Sequence, residues 1–418
     1  VRGRRGRGWV EAFAAVVVAA LLVPAALPLV SARASGPGLR WLSTWAPSVA
    51  MASGGDPFIA QVFPSGHAID QSIRSIVTVT SPGDKIRITL DNRFGNRTVR
   101  FGPVRAGIQL AGPALIVGSN RAVTFGGRSQ VSVPVGGEIV SDPVAFPLHA
   151  GDTIAVSMHV VGASGAVTWH PVAHGISFLS PPHSGDETAD DAGLGYQITA
   201  QSWFWMLGVE QHSPDAGTIV ALGDSITDGY PIVVDQQHTW PGVLASRLAA
   251  DSSHPAHAVV NAGISGNRLV GVIKPECGPS ALTRLDHDVL DLPDVTHMIV
   301  FEGTNDLAYG ASASQVITAL HTIVARAHQR GIKVFGATIT PRSDAGWGWG
   351  TMEPARQTVN KWIRTSGAFD AVIDFDAVLR DPTDPRRLAP EFDGGDHLHP
   401  SQLGYQALGD AVDLSLFA

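Results

Sequence analysis

Thr218-Ile219-Val220-Ala221-Leu222-Gly223-Asp224-Ser225-Ile226-Thr227-Asp228-Gly229 is an apolar run that ends at a glycine and opens into a polar turn. A short run without charge, closed by turn residues, is the pattern of a strand buried on both faces of a sheet. Four further largely apolar runs lie at 258–262, 297–302, 334–340 and 371–375, the second and fourth each taking in one acid, Glu302 and Asp374. Helical patterns lie between them. In the clearest, Val316, Leu320, Ile323 and Ala327 make one apolar stripe and Gly331 is placed to end it. Strands alternating with helices predict a three-layer α/β/α domain with a parallel sheet over residues 212–418. In such sheets ligands bind beyond the carboxyl ends of the strands, so the residues just after each run carry the functional question.

Upstream, from about Trp41 to Glu210, the periodicity is two rather than three to four. Residues 73–80, 86–90 and 154–160 alternate, and turn clusters such as Ser81-Pro82-Gly83-Asp84 divide them. Residues 35–211 are therefore expected to form an all-β sandwich or jelly-roll-like accessory domain. The stretch 181–195 reads as a long exposed loop within it, 203–207 as its last strand, and 212–217 as the boundary. Trp169, Trp203 and Trp205 are candidates for stacking on sugars, against the commoner fate of core packing.

At the start of the chain Arg2, Arg4, Arg5 and Arg7 precede an apolar run from Phe13 to Val30 and an Ala32-Arg33-Ala34 site. Residues 1–34 read as a cleaved secretory signal, and Pro24 and Pro28 argue against the alternative of an uncleaved membrane tether. No other stretch is apolar enough to span a bilayer. The 418 residues include 37 acidic and 29 basic ones, a formal charge of −8, and are 44% hydrophobic, which is a folded chain with nothing to recommend a nucleic-acid partner. Cys277 is the only cysteine, so no disulfide can form within the chain, and it reads as a small buried hydrophobe. Nothing in the sequence sets the oligomeric state.

The chemistry lies after the strands. Ser225 stands on a Gly-flanked turn that can expose a hydroxyl and a backbone N–H together. A glycine of the block Asn261-Ala262-Gly263-Ile264-Ser265-Gly266-Asn267 can bring its N–H close to a reacting carbonyl. Asn305, within Gly303-Thr304-Asn305-Asp306, offers a neutral amide donor to an oxyanion. Near the C-terminus comes Asp393-Gly394-Gly395-Asp396-His397-Leu398-His399-Pro400. A serine hydroxyl needs an imidazole to take its proton and a carboxylate to hold that imidazole's tautomer, and Asp396 and His399 are spaced to do both. Gly346-Trp347-Gly348-Trp349-Gly350 follows the fourth strand, so Trp347 and Trp349 are candidates for a wall of the substrate pocket.

These four blocks, in this order, resemble the SGNH (GDSL-like) hydrolase family over residues 218–418. The resemblance implies a serine esterase with Ser225 as nucleophile, His399 as base and Asp396 as its orienting carboxylate. It also implies an oxyanion hole formed by Ser225, Gly266 and Asn305, and no metal or other cofactor. Ile226 stands where the family name implies Leu, an apolar exchange. His397 lies two before His399, but His399 is the histidine three after an Asp and directly before Pro. The variant with Gly-Asp-Ser-Ile-Thr-Asp-Gly and a preceding β domain is similar to secreted arylesterases and carbohydrate acetylesterases, so the expected partner is an ester, short-chain or acetyl, on a carbohydrate or lipid. Two rivals come from other classes. One is a metal-dependent hydrolase using Asp393, Asp396, His397 and His399; the other is a carbohydrate-binding protein without activity.

Overall fold

In the N-terminal half, alternating apolar residues close two antiparallel sheets over one core. The computed structural model describes residues 38–52, 56–231, 236–342 and 352–418. One sheet contains β1 (Arg40–Trp45), β3 (Gly83–Asp91), β5 (Val144–Leu148) and β9 (Met206–Ser213), in the order β1-β9-β3-β5. The other is built around β2 (Ile69–Thr78), β4 (Val99–Ala111), β6 (Thr153–Ala163) and β8 (Ser177–Leu179), in the order β8-β2-β6-β4. Ile73 and Val77 of β2 and Ile154, Val156 and Met158 of β6 meet Ile86, Ile88 and Leu90 of β3 in a single apolar cluster. A third, small sheet centres on β7 (Thr168–His170).

Alternation in β2 and β6 suggests one wet face, yet that face is buried too. Residues 181–197 lie across it without helix or strand, so the stretch that reads as an exposed loop is in large part a cover. Beneath it Arg74 is fully buried. Its Nε donates to Ser157 Oγ (2.7 Å), its Nη2 to the Asp190 carbonyl (2.9 Å), and its guanidinium lies 4.2 Å from the centre of the Tyr196 ring. A buried cation survives because each face of the fork has an acceptor. The expected last strand at 203–207 is broken: Trp205 takes a left-handed conformation (φ 52°), and β9 begins after it. That strand runs through Ser213, into the segment that reads as a boundary. Trp169, Trp203 and Trp205 are all buried in the core and offer no face to a sugar.

The second half is a five-stranded parallel sheet. It consists of β10 (Thr218–Gly223), β11 (Ala258–Gly263), β12 (Val295–Phe301), β13 (Lys333–Ala337) and β14 (Ala371–Ile373), in the order β11-β10-β12-β13-β14. Val220 and Leu222 of β10 face one apolar cluster, which takes in Val316, Leu320, Ile323 and Ala327; Ile219 and Ala221 face another, with Trp240, Leu244, Tyr405 and Leu408. Helices thus cover both faces. They include α2 (Trp240–Ala250), α4 (Ala313–Gln329) and α5 (Gln402–Asp410), while α1 (Ser225–Asp228) and α3 (Thr304–Ala308) are single turns directly after β10 and β12. Strand order reverses at β10, and the crevice at its carboxyl end is where a site belongs.

The halves share buried contacts. β11 is an edge strand, and an open edge carries free backbone groups. The Thr80 hydroxyl answers both groups of Val259, donating to its carbonyl (2.9 Å) and accepting from its N–H (3.0 Å). Thr218 Oγ1 donates to the Ser43 carbonyl (3.3 Å).

Candidate active site

At the end of β10 the chain must turn at once from strand to helix. Asp224 makes the turn by capping it, its Oδ1 accepting from the Ile226 N–H (2.9 Å). At the end of β11, a Cβ on Gly263 would stand 2.2 Å from the Asp228 amide nitrogen, so only glycine lets α1 lie against β11. This packing presents the first residue of α1, Ser225, at the crevice.

Ser225 Oγ lies 2.9 Å from His399 Nε2, and His399 Nδ1 lies 2.6 Å from Asp396 Oδ2. Asp396 Oδ1 also accepts from the backbone N–H of His399 (2.8 Å) and of Leu398 (3.1 Å). Partial burial alone would raise this carboxyl's pKa. The imidazole and amide donors outweigh it and hold the group well below the usual carboxylate range. The Tyr230 and His399 rings meet in an edge-type contact, with centroids 4.7 Å apart. The Tyr405 hydroxyl of α5 donates to the Tyr230 carbonyl and fixes that turn.

His397 is held elsewhere. Its Nδ1 meets Asp393 Oδ2 at 2.5 Å, and its side chain is 54% exposed against 11% for His399. The four candidate metal ligands therefore divide into two separate pairs. Among the described residues no group of three or more His, Cys, Asp or Glu is disposed to hold a metal ion.

The loop from Gly266 to Val270 is gripped by α3. The Asn305 amide donates to the Asn267 carbonyl (3.0 Å), and Asp306 accepts from the N–H groups of Leu269 (2.8 Å) and Val270 (3.0 Å). Gly266 has φ 80°, and a Cβ there would stand 2.6 Å from Cys277 Sγ. An amide NH2 carries two hydrogens, so Asn305 keeps one donor beyond its bond to the loop.

Residue-type patterns missed several groups that build this site. Arg284 is 3% exposed and donates to five acceptors: Asn267 Oδ1 (3.0 Å), the Ala262 carbonyl (2.7 Å), the Gly223 carbonyl (3.0 Å), Ser48 Oγ (2.7 Å) and Asp288 Oδ2 (2.9 Å). It thereby ties the carboxyl ends of β10 and β11 to the Gly266 loop. The available signal was an arginine in an otherwise apolar register between Leu282 and Leu285. Asp224 and Glu302, after β10 and β12, are both buried and close enough to interact. Burial pushes Asp224 up to about 6 against the pull of the Ile226 amide and of His399; burial and the neighbouring acids Asp224 and Asp306 push Glu302 well above its usual range. Arg342 donates to Thr304 Oγ1 (2.6 Å) and is lowered to about 9 by burial. Trp347 and Trp349 lie outside the described residues.

A scan of protein families matches residues 221–407 to the GDSL-like Lipase/Acylhydrolase family. No curated protein sequence matches the chain significantly. Among solved structures, the chain is similar to a member of the lipolytic protein G-D-S-L family from Veillonella parvula (20% identity, 46% of this chain and 94% of that one, TM-score 0.36). It is also similar to the aryl esterase of M. smegmatis (19%, 47% and 96%, 0.37) and to Est24, a carbohydrate acetylesterase from Sinorhizobium meliloti (15%, 47% and 95%, 0.37). The family match over residues 221–407 defines the class of protein, a carboxylic ester hydrolase. Residues 221–407 belong to the GDSL-like lipase/acylhydrolase, or SGNH hydrolase, family.

Proposed function

We propose that the protein is a secreted serine esterase acting on short-chain acyl or acetyl esters of a carbohydrate or lipid. Residues 212–418 are its three-layer catalytic domain and residues 35–211 an accessory β-sandwich. What carries the reading is the line of hydrogen bonds from Ser225 Oγ through His399 to Asp396, at 2.9 and 2.6 Å. An ionised Asp396 can only accept, so Nδ1 carries the hydrogen and the lone pair of Nε2 faces the serine hydroxyl. His399 takes the Ser225 proton as Oγ attacks the ester carbonyl, then returns it to the leaving alcohol. Water hydrolyses the resulting acyl-Ser225 by the same path in reverse. The oxyanion formed in each step is met by the N–H groups of Ser225 and Gly266 and by the free hydrogen of the Asn305 amide. Among the described residues no helix is long and apolar enough to cross a membrane, which suits a secreted enzyme once residues 1–34 are removed.

The test is inactivation by a serine-directed phosphonate, with the labelled residue located by peptide mass spectrometry. The expected result is one phosphonyl group on Ser225 and activity insensitive to a chelator; a label elsewhere, or loss of activity with chelator, would overturn the reading. Hydrolysis rates on acetylated xylan, lysophospholipid and aryl esters of graded acyl length would then fix the substrate.

A further inference from the structure

Asp228 closes the one-turn helix that begins at Ser225, and its carboxylate is the meeting point of three segments. Oδ2 accepts from the backbone N–H (3.0 Å) and the hydroxyl (2.7 Å) of Ser265, the residue before Gly266. Oδ1 lies 3.2 Å from Nε2 of His170, which comes from β7 in the N-terminal half. The carboxylate and the imidazole are both buried, at 3% and 2% exposure.

The hydrogens follow from the partners. His170 Nδ1 is 2.6 Å from the Ser48 carbonyl, which can only accept, so Nδ1 bears a hydrogen. With Oδ2 taken up by both Ser265 donors, an ionised Asp228 offers His170 only the lone pairs of Oδ1, and Nε2 then bears a hydrogen as well. A ring protonated at both nitrogens is an imidazolium, and a buried one persists only beside a counter-charge. Four other titratable groups face the cluster. His174 Nε2 stands 3.7 Å from the same Asp228 oxygen. Arg284, whose like charge disfavours a charged His170, is paired with Asp288 at 2.9 Å. Tyr405, from α5, is buried and raised well above the ordinary phenol range, so it stays neutral. Burial works against a charged His170, but Asp228 and the Ser48 carbonyl prevail, and the balance favours the charged ring.

A four-residue helix has no stability of its own to hold a serine in place. Here one carboxylate locks the Ser225 turn to the Gly266 loop, and the ring of His170 locks that carboxylate. Ser48 completes the arrangement, because its carbonyl takes His170 while its hydroxyl takes Arg284, the clamp of the same loop. We propose that His170 is a positioning residue for ester hydrolysis: as an imidazolium it fixes Asp228 and thereby sets the spacing between the Ser225 turn and the Gly266 loop. The N-terminal β region is then part of the catalytic apparatus, not an appendage to it.

This inference rests on Ser225 being the nucleophile, and the experiment separates the two ideas. On the full chain, kcat and KM for an aryl acetate are measured from pH 5 to 10 for the wild type, Ser225→Ala, His170→Asn and Asp228→Asn. If Ser225→Ala retains activity, the nucleophile assignment fails. With Ser225→Ala inactive, His170→Asn is expected to lower kcat by about ten-fold to a hundred-fold and change KM less than about two-fold. The wild type is expected to lose kcat as pH rises above the ordinary imidazole range, about 6.5, while the variant lacks that alkaline decline. Asp228→Asn keeps the shape of the side chain and so provides the same reading if His170→Asn does not fold. Wild-type kcat and an unchanged alkaline limb in whichever of the two variants folds would overturn the proposal.

Discussion

His397 takes a left-handed backbone conformation, φ 63°, and its ring turns to Asp393, whereas the ring of His399 points to Ser225. Two neighbouring imidazoles thus receive different work from their carboxylates. The expected consequence is that Ser225→Ala and His399→Ala each lower turnover by on the order of 10^4 or more, while His397→Ala costs less than about ten-fold. Steady-state kinetics on a soluble ester decide it, and a greater loss for His397→Ala would reverse the assignment of the base. Asn305 presents a different case, because its amide both braces the Asn267 carbonyl and keeps a free hydrogen. Asn305→Ala should lower kcat by roughly 10^2 to 10^3 with KM nearly unchanged, since the donor acts chiefly on the transition state. A rise in KM alone would make Asn305 a ground-state contact.

At the level of elements, the loop between β11 and the following helix is held from three sides, and Gly266 is where it has least room. Alanine there must adopt φ 80° at a cost of about 1 to 2 kcal/mol and must push its Cβ against Cys277 Sγ, 2.6 Å away. Gly266→Ala should therefore lower both the melting temperature and kcat. Adding Cys277→Gly should recover part of the loss, because it removes the clash but not the strained backbone; no recovery in the double variant would mean that Cys277 is not what confines the loop. Gly266 could be chosen from sequence only through the ordered set of four blocks, because a glycine just past a strand is on its own most often a turn residue. The strands of the parallel sheet were readable, being short apolar runs ended by turn residues. The second face of β2 was not. Arg74 and Ser72 look solvent-facing in an alternating strand, and the cover formed by residues 181–197, more than a hundred positions away, helps to bury them, with the Pro113 carbonyl also meeting Arg74. Arg284 and Ser48, 236 residues apart, escape for the same reason: local periodicity carries no information on which distant acceptor will meet a buried donor.

For the molecule as a whole, the contact between His170 and Asp228 joins two halves with different architectures, and its protonation must appear in the stability of the entire chain. The folded state raises the His170 pKa above its ordinary value of 6.5, so folding binds the proton more tightly than the unfolded chain does. The resulting stabilisation is fully present below about pH 6.5, the unfolded value, and is lost as pH rises through the higher folded value. Asp288 has the opposite sign. Burial would raise it, but His287 and Arg284 hold it down at about 2, so its contribution is present above the unfolded carboxylate range and is lost only as pH falls toward 2. Other groups also titrate between these limits, among them Asp224 near 6 and His297 near 4, which makes the absolute melting curve a composite. The difference between wild type and His170→Asn isolates the one group. That difference in melting temperature, measured by calorimetry from pH 5 to 9, should be greatest at and below pH 6 and shrink steadily on the alkaline side, because the wild type gives up a charge pair that the variant never had. A difference that stayed constant with pH would mean that His170 contributes packing alone. One that grew toward pH 9 would mean that the buried ring is neutral, with Asp228 held by Ser265 without help from the β region.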